Sequence, residues 1–139
     1  MRIKQISTTL ENKPGALHKF ATDMAEGGVN MRSLTCAEKG EAGDHGIARM
    51  VVDDFPKADE LLTAKGYKFT EDPVLAVEVS DEPGGLDKIL GILAKADINV
   101  NHLYAFIEKH ERKAVTIIAV SSADIAKAVS VLGEEGIYG

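Results

Sequence analysis

The chain has 139 residues, of which 45% are hydrophobic and 27% charged, and its formal net charge is −6. This balance is typical of a globular protein, and the acidic charge weighs against nucleic acids and anionic membranes as partners. No stretch approaches the roughly 20 apolar residues of a membrane span, and the first residues lack the apolar run of a signal peptide. We therefore expect a cytoplasmic protein. Its one cysteine, Cys36, excludes an intrachain disulfide and is expected to be a small buried hydrophobe.

The chain opens with a predicted strand followed by a predicted helix. Between them lies the phrase NKPGAL, residues 12–17. Pro14 suits a first helical turn, where a missing N–H is tolerated, and Gly27 with Gly28 is expected to end the helix. The inward face of the strand is predicted to carry Ile6, Thr8 and Leu10. The apolar stripe of the helix is predicted to consist of Leu17, Phe20, Ala21 and Met24.

Two further strands and a shorter helix are predicted next. The strands run from about residue 29 to 38 and from about residue 47 to 52, joined by a glycine-rich loop. Asp54 or Asp53 can cap the helix just before Pro56. A short strand is expected at residues 67–70, after which Pro73 is expected to separate the two halves of the chain.

The same order of elements then recurs. NKPGAL returns 69 residues later as DEPGGL, residues 81–86, and the match continues without a gap as far as Leu34 and Leu103. The second helix stripe comprises Leu86, Ile89, Leu90 and Leu93. Strands at 98–107 and 114–120 follow, and then a helix capped by Ser121 or Ser122. The duplication predicts two domains, residues 1–72 and 73–139.

Each repeat reads strand, helix, strand, strand, helix, strand, which is the ferredoxin-like βαββαβ plan. The predicted fold class is therefore α+β, with two antiparallel sheets that each carry helices on one face. The second repeat ends at Gly139 with few residues left for its last strand. His102, Tyr104 and Phe106 fall on its open sheet face. Because neighbouring strands are apolar on both sides, we expect that face to pack on another sheet, from the other repeat or from another chain, and we predict a homodimer.

The duplicated phrase lies where a strand leads into a helix. Helix N-terminal N–H groups lack helical partners and carry partial positive charge, so a carboxylate could bind at residues 15–17 or 84–86. Asn12 or Asp81, just ahead of these residues, could accept a hydrogen bond from a ligand ammonium, which together suits an α-amino acid. Asn30 and Asn99 enter the next strand and are expected near the same ligand. The alternative is that all these residues serve turn and cap chemistry only.

A helix entered through Pro-Gly-x-Leu and ending in Gly-Val-Asn or Asp-Ile-Asn before a strand resembles the ACT domain, here as a tandem pair covering nearly the whole chain. The resemblance implies ferredoxin-like modules that bind amino acids or other small effectors and regulate enzymes. The catalytic domain that usually accompanies them is missing from this sequence. The ligand positions it implies are Asn12, Gly15, Ala16, Leu17 and Asn30, with Asp81, Gly84, Gly85, Leu86 and Asn99 in the second repeat.

No residue pattern points to catalysis or to a cofactor. The four histidines fall on different elements, no Cys-x-x-Cys occurs, and no phosphate-binding Gly-x-x-x-x-Gly-Lys loop is present. We predict no enzyme activity, no metal and no cofactor. The leading hypothesis is a regulatory protein that binds a small effector and acts on a separate enzyme. The alternative is a ferredoxin-like interaction subunit that binds no ligand.

Overall fold

The computed structural model of the chain describes residues 2–40, 43–108 and 113–134. Within these residues lie six strands, all paired antiparallel where their register is defined, and four helices. The predicted α+β fold class is confirmed. The elements are β1 (Arg2–Glu11), α1 (Ala16–Glu26), β2 (Met31–Lys39), β3 (His45–Val52), α2 (Phe55–Ala64), β4 (Phe69–Ser80), α3 (Gly85–Lys95), β5 (His102–Glu108), β6 (Lys113–Ala119) and α4 (Ile125–Glu134).

The chain divides into two compact units. The N-terminal unit comprises residues 4–72, and the described part of the C-terminal unit comprises residues 2–3, 73–108 and 113–134. In the N-terminal unit the strands follow the order β2-β3-β1, with the first residues of β4 on the far side of β1. The C-terminal unit follows the equivalent order β5-β6-β4, with Arg2 and Ile3 of β1 beyond β4.

The last strand of the second repeat was expected to be short or to come from another chain. The end of that repeat, residues 135–139, lies outside the described residues. Arg2 and Ile3 of β1 belong to this unit and lie next to β4 at the outer position of its described sheet. Ile3 packs there against Val74, Ile117 and Ala119.

One core lies between sheet and helices in each unit. In the N-terminal unit the core includes the fully buried Ile6, Phe20 and Met50. In the C-terminal unit the core includes Leu75, Leu93 and Ile118, which are also fully buried. The predicted inward face of the first strand is confirmed, since Ile6, Thr8 and Leu10 are all buried. The predicted helix stripes are only partly right, because their first residues, Leu17 and Leu86, remain 39% and 37% exposed.

Three predictions about local structure need correction. The short strand expected at residues 67–70 begins at Phe69 and continues through Pro73 as β4, and the main segment of the C-terminal unit begins at Pro73. The last helix begins at Ile125, after a turn in which the Asp124 N–H donates to the Ser121 carbonyl, and so starts later than its predicted caps imply. Cys36 is exposed rather than buried.

The cap of α2 follows the prediction. Asp54 is the N-cap residue, and its carboxylate accepts a hydrogen bond from the Lys57 N–H at 3.1 Å. No helix among the described residues combines the length and the apolar character that crossing a membrane requires.

Candidate functional site

The repeated phrase forms the same tight turn in both units. The Ala16 N–H donates to the Lys13 carbonyl at 3.2 Å, and the Gly85 N–H donates to the Glu82 carbonyl at 3.1 Å. Between them Gly15 has φ 87° and Gly84 has φ 91°. Proline followed by glycine with positive φ is the type II β-turn. The duplicated Pro-Gly pair is therefore explained first by turn geometry, which is the alternative that the sequence left open.

The two glycines have open space in front of them. A Cβ added at Gly15 or at Gly84 would meet no atom within 4 Å. Their positive φ, which disfavours other residues, thus reflects the turn and not close packing. The same open space leaves the entrance to each helix accessible to a small molecule.

Both helices that follow lack a side-chain cap. Neither α1, which begins after Gly15, nor α3, which begins after Gly84, receives a cap hydrogen bond from a side chain. A helix leaves its first N–H groups without intrahelical partners, and the turn occupies only the one at Ala16 or Gly85. The exposed side chains of Leu17 and Leu86 lie on the first turn beside these groups. The arrangement can accept a carboxylate next to an apolar group.

The two turns differ in charge. In the first turn of its helix the N-terminal unit has His18 where the C-terminal unit has Asp87. Ahead of the proline, Lys13 stands where the second copy has Glu82, and its ammonium lies 2.6 Å from the Glu11 carboxylate. A bound anion would therefore meet less repulsion at the first turn than at the second.

The side chain of Asn12 has a role within its own unit. Its amide donates to the Gly43 carbonyl and more weakly, at 3.5 Å, to the Glu38 carboxylate. Its backbone N–H donates to the Asp44 carbonyl at 3.0 Å. Asn12 thus ties the turn to the β2–β3 hairpin and keeps only its amide oxygen for a ligand ammonium. Asp81, at the matched position, is exposed.

Asn30 does not lie beside the first turn, so that expectation is wrong within one unit. The 11 residues of α1 separate them, a rise of about 16 Å at roughly 1.5 Å per residue. Its backbone N–H donates to the Asp53 carboxylate at 3.0 Å, just past the Met31–Val52 end of the hairpin. Glu11, by contrast, pairs with His45 at the other end of β3.

Asn99 is placed in the same way. It follows α3, before the end of the hairpin where His102 pairs with Ala119, whereas Ser80 pairs with Lys113 at the opposite end. Its amide donates to the side-chain oxygen of Asn101 at 3.0 Å. Each unit therefore brings together the residues of its own turn, but Asn30 and Asn99 lie at the opposite end of their units from those turns. Helix direction decides this, and residue spacing alone does not reveal it.

The sequence did not predict a polar cluster that joins α1 to the residue Tyr67, just before β4. The Tyr67 hydroxyl donates to the nearly buried carboxylate of Asp23 at 2.5 Å, and the Lys19 ammonium lies 3.0 Å from the same oxygen. The hydrogen bond from Tyr67 lowers the pKa of Asp23, and the bond to Asp23 raises the pKa of Lys19. Burial raises the pKa of Tyr67. Lysine four residues before aspartate on one helix was the available signal.

The C-terminal unit has a groove at the matched place. Asp23 aligns with Ile92, and a depression of about 850 Å³ runs along α3 and α4, with Gly91, Ile92 and Val131 among its lining residues. The Asp23 cluster therefore belongs to the N-terminal unit alone, where it links α1 to Tyr67. No group of three or more potential metal ligands is found among the described residues.

Comparison with known proteins identifies the family. A model of the ACT domain pair matches residues 1–136. The chain is 30% identical to protein BT0572 from Bacteroides thetaiotaomicron, whose crystal structure superposes with a TM-score of 0.88 over 99% of this chain and 91% of that one. No curated protein matches the chain.

More distant structures share the fold. The ligand-free regulatory subunit of aspartate kinase from Thermus thermophilus is 16% identical, with a TM-score of 0.66 over 94% of this chain and 91% of that one. A structure of aspartokinase alpha and beta subunits is also 16% identical, with a TM-score of 0.62 over 96% and 90% of the two chains.

Proposed function

The chain belongs to the ACT domain pair family, and on this premise we propose that it is a non-enzymatic regulatory protein that binds an amino acid or a similar small effector. The observation that carries the proposal is the pair of uncapped helix entrances at Gly15 and Gly84. Both have free N–H groups behind open space. Turn geometry accounts for the Pro-Gly pair in both units, and the uncapped N–H groups that follow it suit an anionic effector in each.

The entrances suit the two ends of an α-amino acid differently. A carboxylate gains charge-assisted hydrogen bonds from helix N–H groups. An ammonium needs an acceptor, which is the amide oxygen of Asn12 in one unit and the carboxylate of Asp81 in the other. Leu17 and Leu86 offer apolar surface to the effector's side chain. Because the acceptors and the first-turn charges differ, we expect the two entrances to bind with unequal affinity.

Calorimetry against a panel of amino acids tests the proposal. Ala16→Asp places a carboxylate at the entrance of α1, where the helix dipole tolerates it but a ligand carboxylate is repelled. Ala126→Asp makes the same change in the first turn of α4, at an exposed position, and serves as the matched control. Binding should be weakened by Ala16→Asp and unchanged by Ala126→Asp. Absence of binding heat with every amino acid would contradict the proposal.

We propose further that the protein acts in the cytoplasm on a separate metabolic enzyme. The likeness in fold to the regulatory subunit of aspartate kinase is consistent with this role. The competing candidate, an interaction subunit without ligand, is favoured by the Asn12 amide, which is already bonded within its own unit. Affinity capture of partners with and without amino acids separates the two, because only the regulatory protein should change its partner binding when an effector is added.

We also propose a homodimer formed through the open sheet face of the C-terminal unit, the face turned away from α3 and α4. Val74, Ile117 and Ala119 form an apolar cluster that is already buried within the chain, and Tyr104 packs against it at the surface. Phe106, paired with Val115, is 38% exposed on the same face. Light scattering should give the mass of a dimer at micromolar concentration. A monomer would contradict this part of the proposal and leave effector binding untouched.

A further inference from the structure

A small depression on the N-terminal unit is lined by groups that bind anions. Its volume is about 250 Å³, and it lies where β1 meets the start of β4. Its lining comprises two lysines, four hydroxyl-bearing residues, one isoleucine and one phenylalanine. They are Lys39, Lys68, Ser7, Thr8, Thr9, Thr70, Ile47 and Phe69.

The register places these groups on the open face of the sheet. Ile6, Thr8 and Leu10 point towards the helices, so Ser7 and Thr9 between them point away. Ile47 pairs directly with Thr9 and shares that face. Phe69, the first residue of β4, packs on the helix side. Its neighbours Thr70 and Lys68, the latter just before the strand, are therefore left on the open side. The depression and the turn at Gly15 therefore lie on different faces of the sheet.

Within the part of the chain that the structure describes, neither ammonium group contacts a competing carboxylate. Among the described residues neither Lys39 nor Lys68 forms an ion pair. Glu11 lies in the same cross-strand row as Lys39, but Lys13 neutralises it at 2.6 Å. The backbone of Lys68 is held in place, because the Thr8 hydroxyl donates to its carbonyl at 2.7 Å.

The second repeat shows that the fold does not require these residues. Shifting by 69 positions replaces Ser7 with Ala76, Thr9 with Glu78 and Lys39 with Glu108. The two hydroxyls and the ammonium of the first copy are thus replaced by one methyl group and two carboxylates in the second. Since both copies build the same sheet, the positive, hydroxyl-lined surface is a property of the N-terminal unit alone.

We propose that this depression binds a small dianionic oxyanion of the phosphate class, either free phosphate or a phosphate monoester. Two ammonium groups balance its charge, and three hydroxyls can donate to its oxygens. The volume is below that of a drug-sized ligand site, which fits a ligand of few atoms. The site lies on the other face of the sheet from the Gly15 turn of the same unit and does not depend on the proposed amino-acid binding.

Titration with phosphate at constant ionic strength, followed by amide NMR and calorimetry, tests the site. We expect saturable shifts at Ser7, Thr9 and Thr70. Lys39→Glu copies the residue of the second repeat, and Lys68→Glu removes the other ammonium. Each should weaken binding about tenfold or more, as loss of a charge-assisted hydrogen bond predicts. Lys95→Glu, the same charge change at an exposed site on α3, is the matched control.

Two arms of the experiment separate the sources of the ligand. If glycerol phosphate binds more tightly than inorganic phosphate, the site exists and its ligand is a phosphate monoester. If inorganic phosphate binds more tightly, the site exists and its ligand is free phosphate. Ser7→Ala, which copies Ala76, should also weaken binding while preserving the circular dichroism spectrum. Equal weakening by Lys95→Glu, or shifts that do not saturate, would overturn the proposal because they indicate diffuse charge attraction only.

Discussion

A Cβ built on Gly85 would lie 2.2 Å from the carbonyl oxygen of Ser80. Backbone atoms cannot yield as a flexible side chain can, so this position requires glycine for space. The matched residue of the first repeat is Ala16, which shows that the two turns approach their strands differently. This difference lies inside the duplicated phrase itself and makes the two helix entrances structurally unequal.

We therefore expect Gly85→Ala to destabilise the protein by about 1–3 kcal/mol, as overpacking against rigid atoms does. Gly91→Ala, inside the same helix with nothing within 4 Å of the added methyl, should instead stabilise it by about 0.5–1 kcal/mol. Urea unfolding measures both. If Gly85→Ala leaves the free energy of unfolding unchanged, the close approach of the Ser80 carbonyl to Gly85 is contradicted.

Asp23→Asn should lower the melting temperature at pH 7. The Tyr67 hydrogen bond lowers the pKa of Asp23 in the folded protein, so its stabilising effect is fully present above the unfolded value of about 3.9 and is lost as the pH falls through the folded pKa. The variant should therefore differ from the parent at neutral pH and converge with it in acid. Thermal scans from pH 7 to pH 2 test this, with the exposed Asp72→Asn as control.

Asp59→Asn should raise the melting temperature at neutral pH. The Asp59 carboxyl is the main cause of the raised pKa of Glu71, and one Asp59 oxygen is buried without a partner among the described residues. Because the pKa of Glu71 is raised, its hydrogen bond with Asp59 stabilises the fold below the unfolded pKa of about 4.3. This stabilisation is lost as the pH rises through the folded pKa of Glu71. The gain should vanish near pH 4. A variant that is less stable at pH 7 would refute this reading.

Asp87→His should strengthen carboxylate binding at the second helix entrance, because it replaces an anion with the residue found at the first entrance, His18. The gain should be about twofold to fivefold, in line with a helix-terminal charge worth roughly 0.3–1 kcal/mol. Calorimetry with the best-binding amino acid gives the comparison. Asp72→Asn, which removes one carboxylate at an exposed position on β4, checks that the same change in net charge alone does not produce the effect.

Phe106→Lys should convert the proposed dimer to a monomer. The charged side chain would have to be buried in an apolar interface, which is strongly unfavourable without a partner. Thr35→Lys places a lysine on the open face of the N-terminal unit, opposite Arg49, and is the control. Light scattering across a concentration series distinguishes them. A dimer that survives Phe106→Lys would move the interface to another surface.

The sequence by itself determined the duplication, the α+β class and the inward faces of the first strand of each repeat. These features follow from local periodicity and turn chemistry, which act over a few residues. Alternation at Ile6, Thr8 and Leu10 specifies a half-buried strand. Pro14, by contrast, is not in the first helical turn that the sequence predicts but in a type II turn just before α1. The contrast between Lys39 and Glu108 was also readable from the aligned repeats, although no local pattern marked it as a site.

Only the tertiary structure decided which distant residues meet. It placed Asn30 at the far end of α1 from Asn12, because a helix of this length carries the chain across the sheet. It brought Tyr67 to Asp23 across 44 residues and assigned Arg2 and Ile3 to the unit formed by the second repeat. Such contacts depend on how strands order themselves in a sheet, and that order is set by the packing of the whole unit rather than by any segment of it.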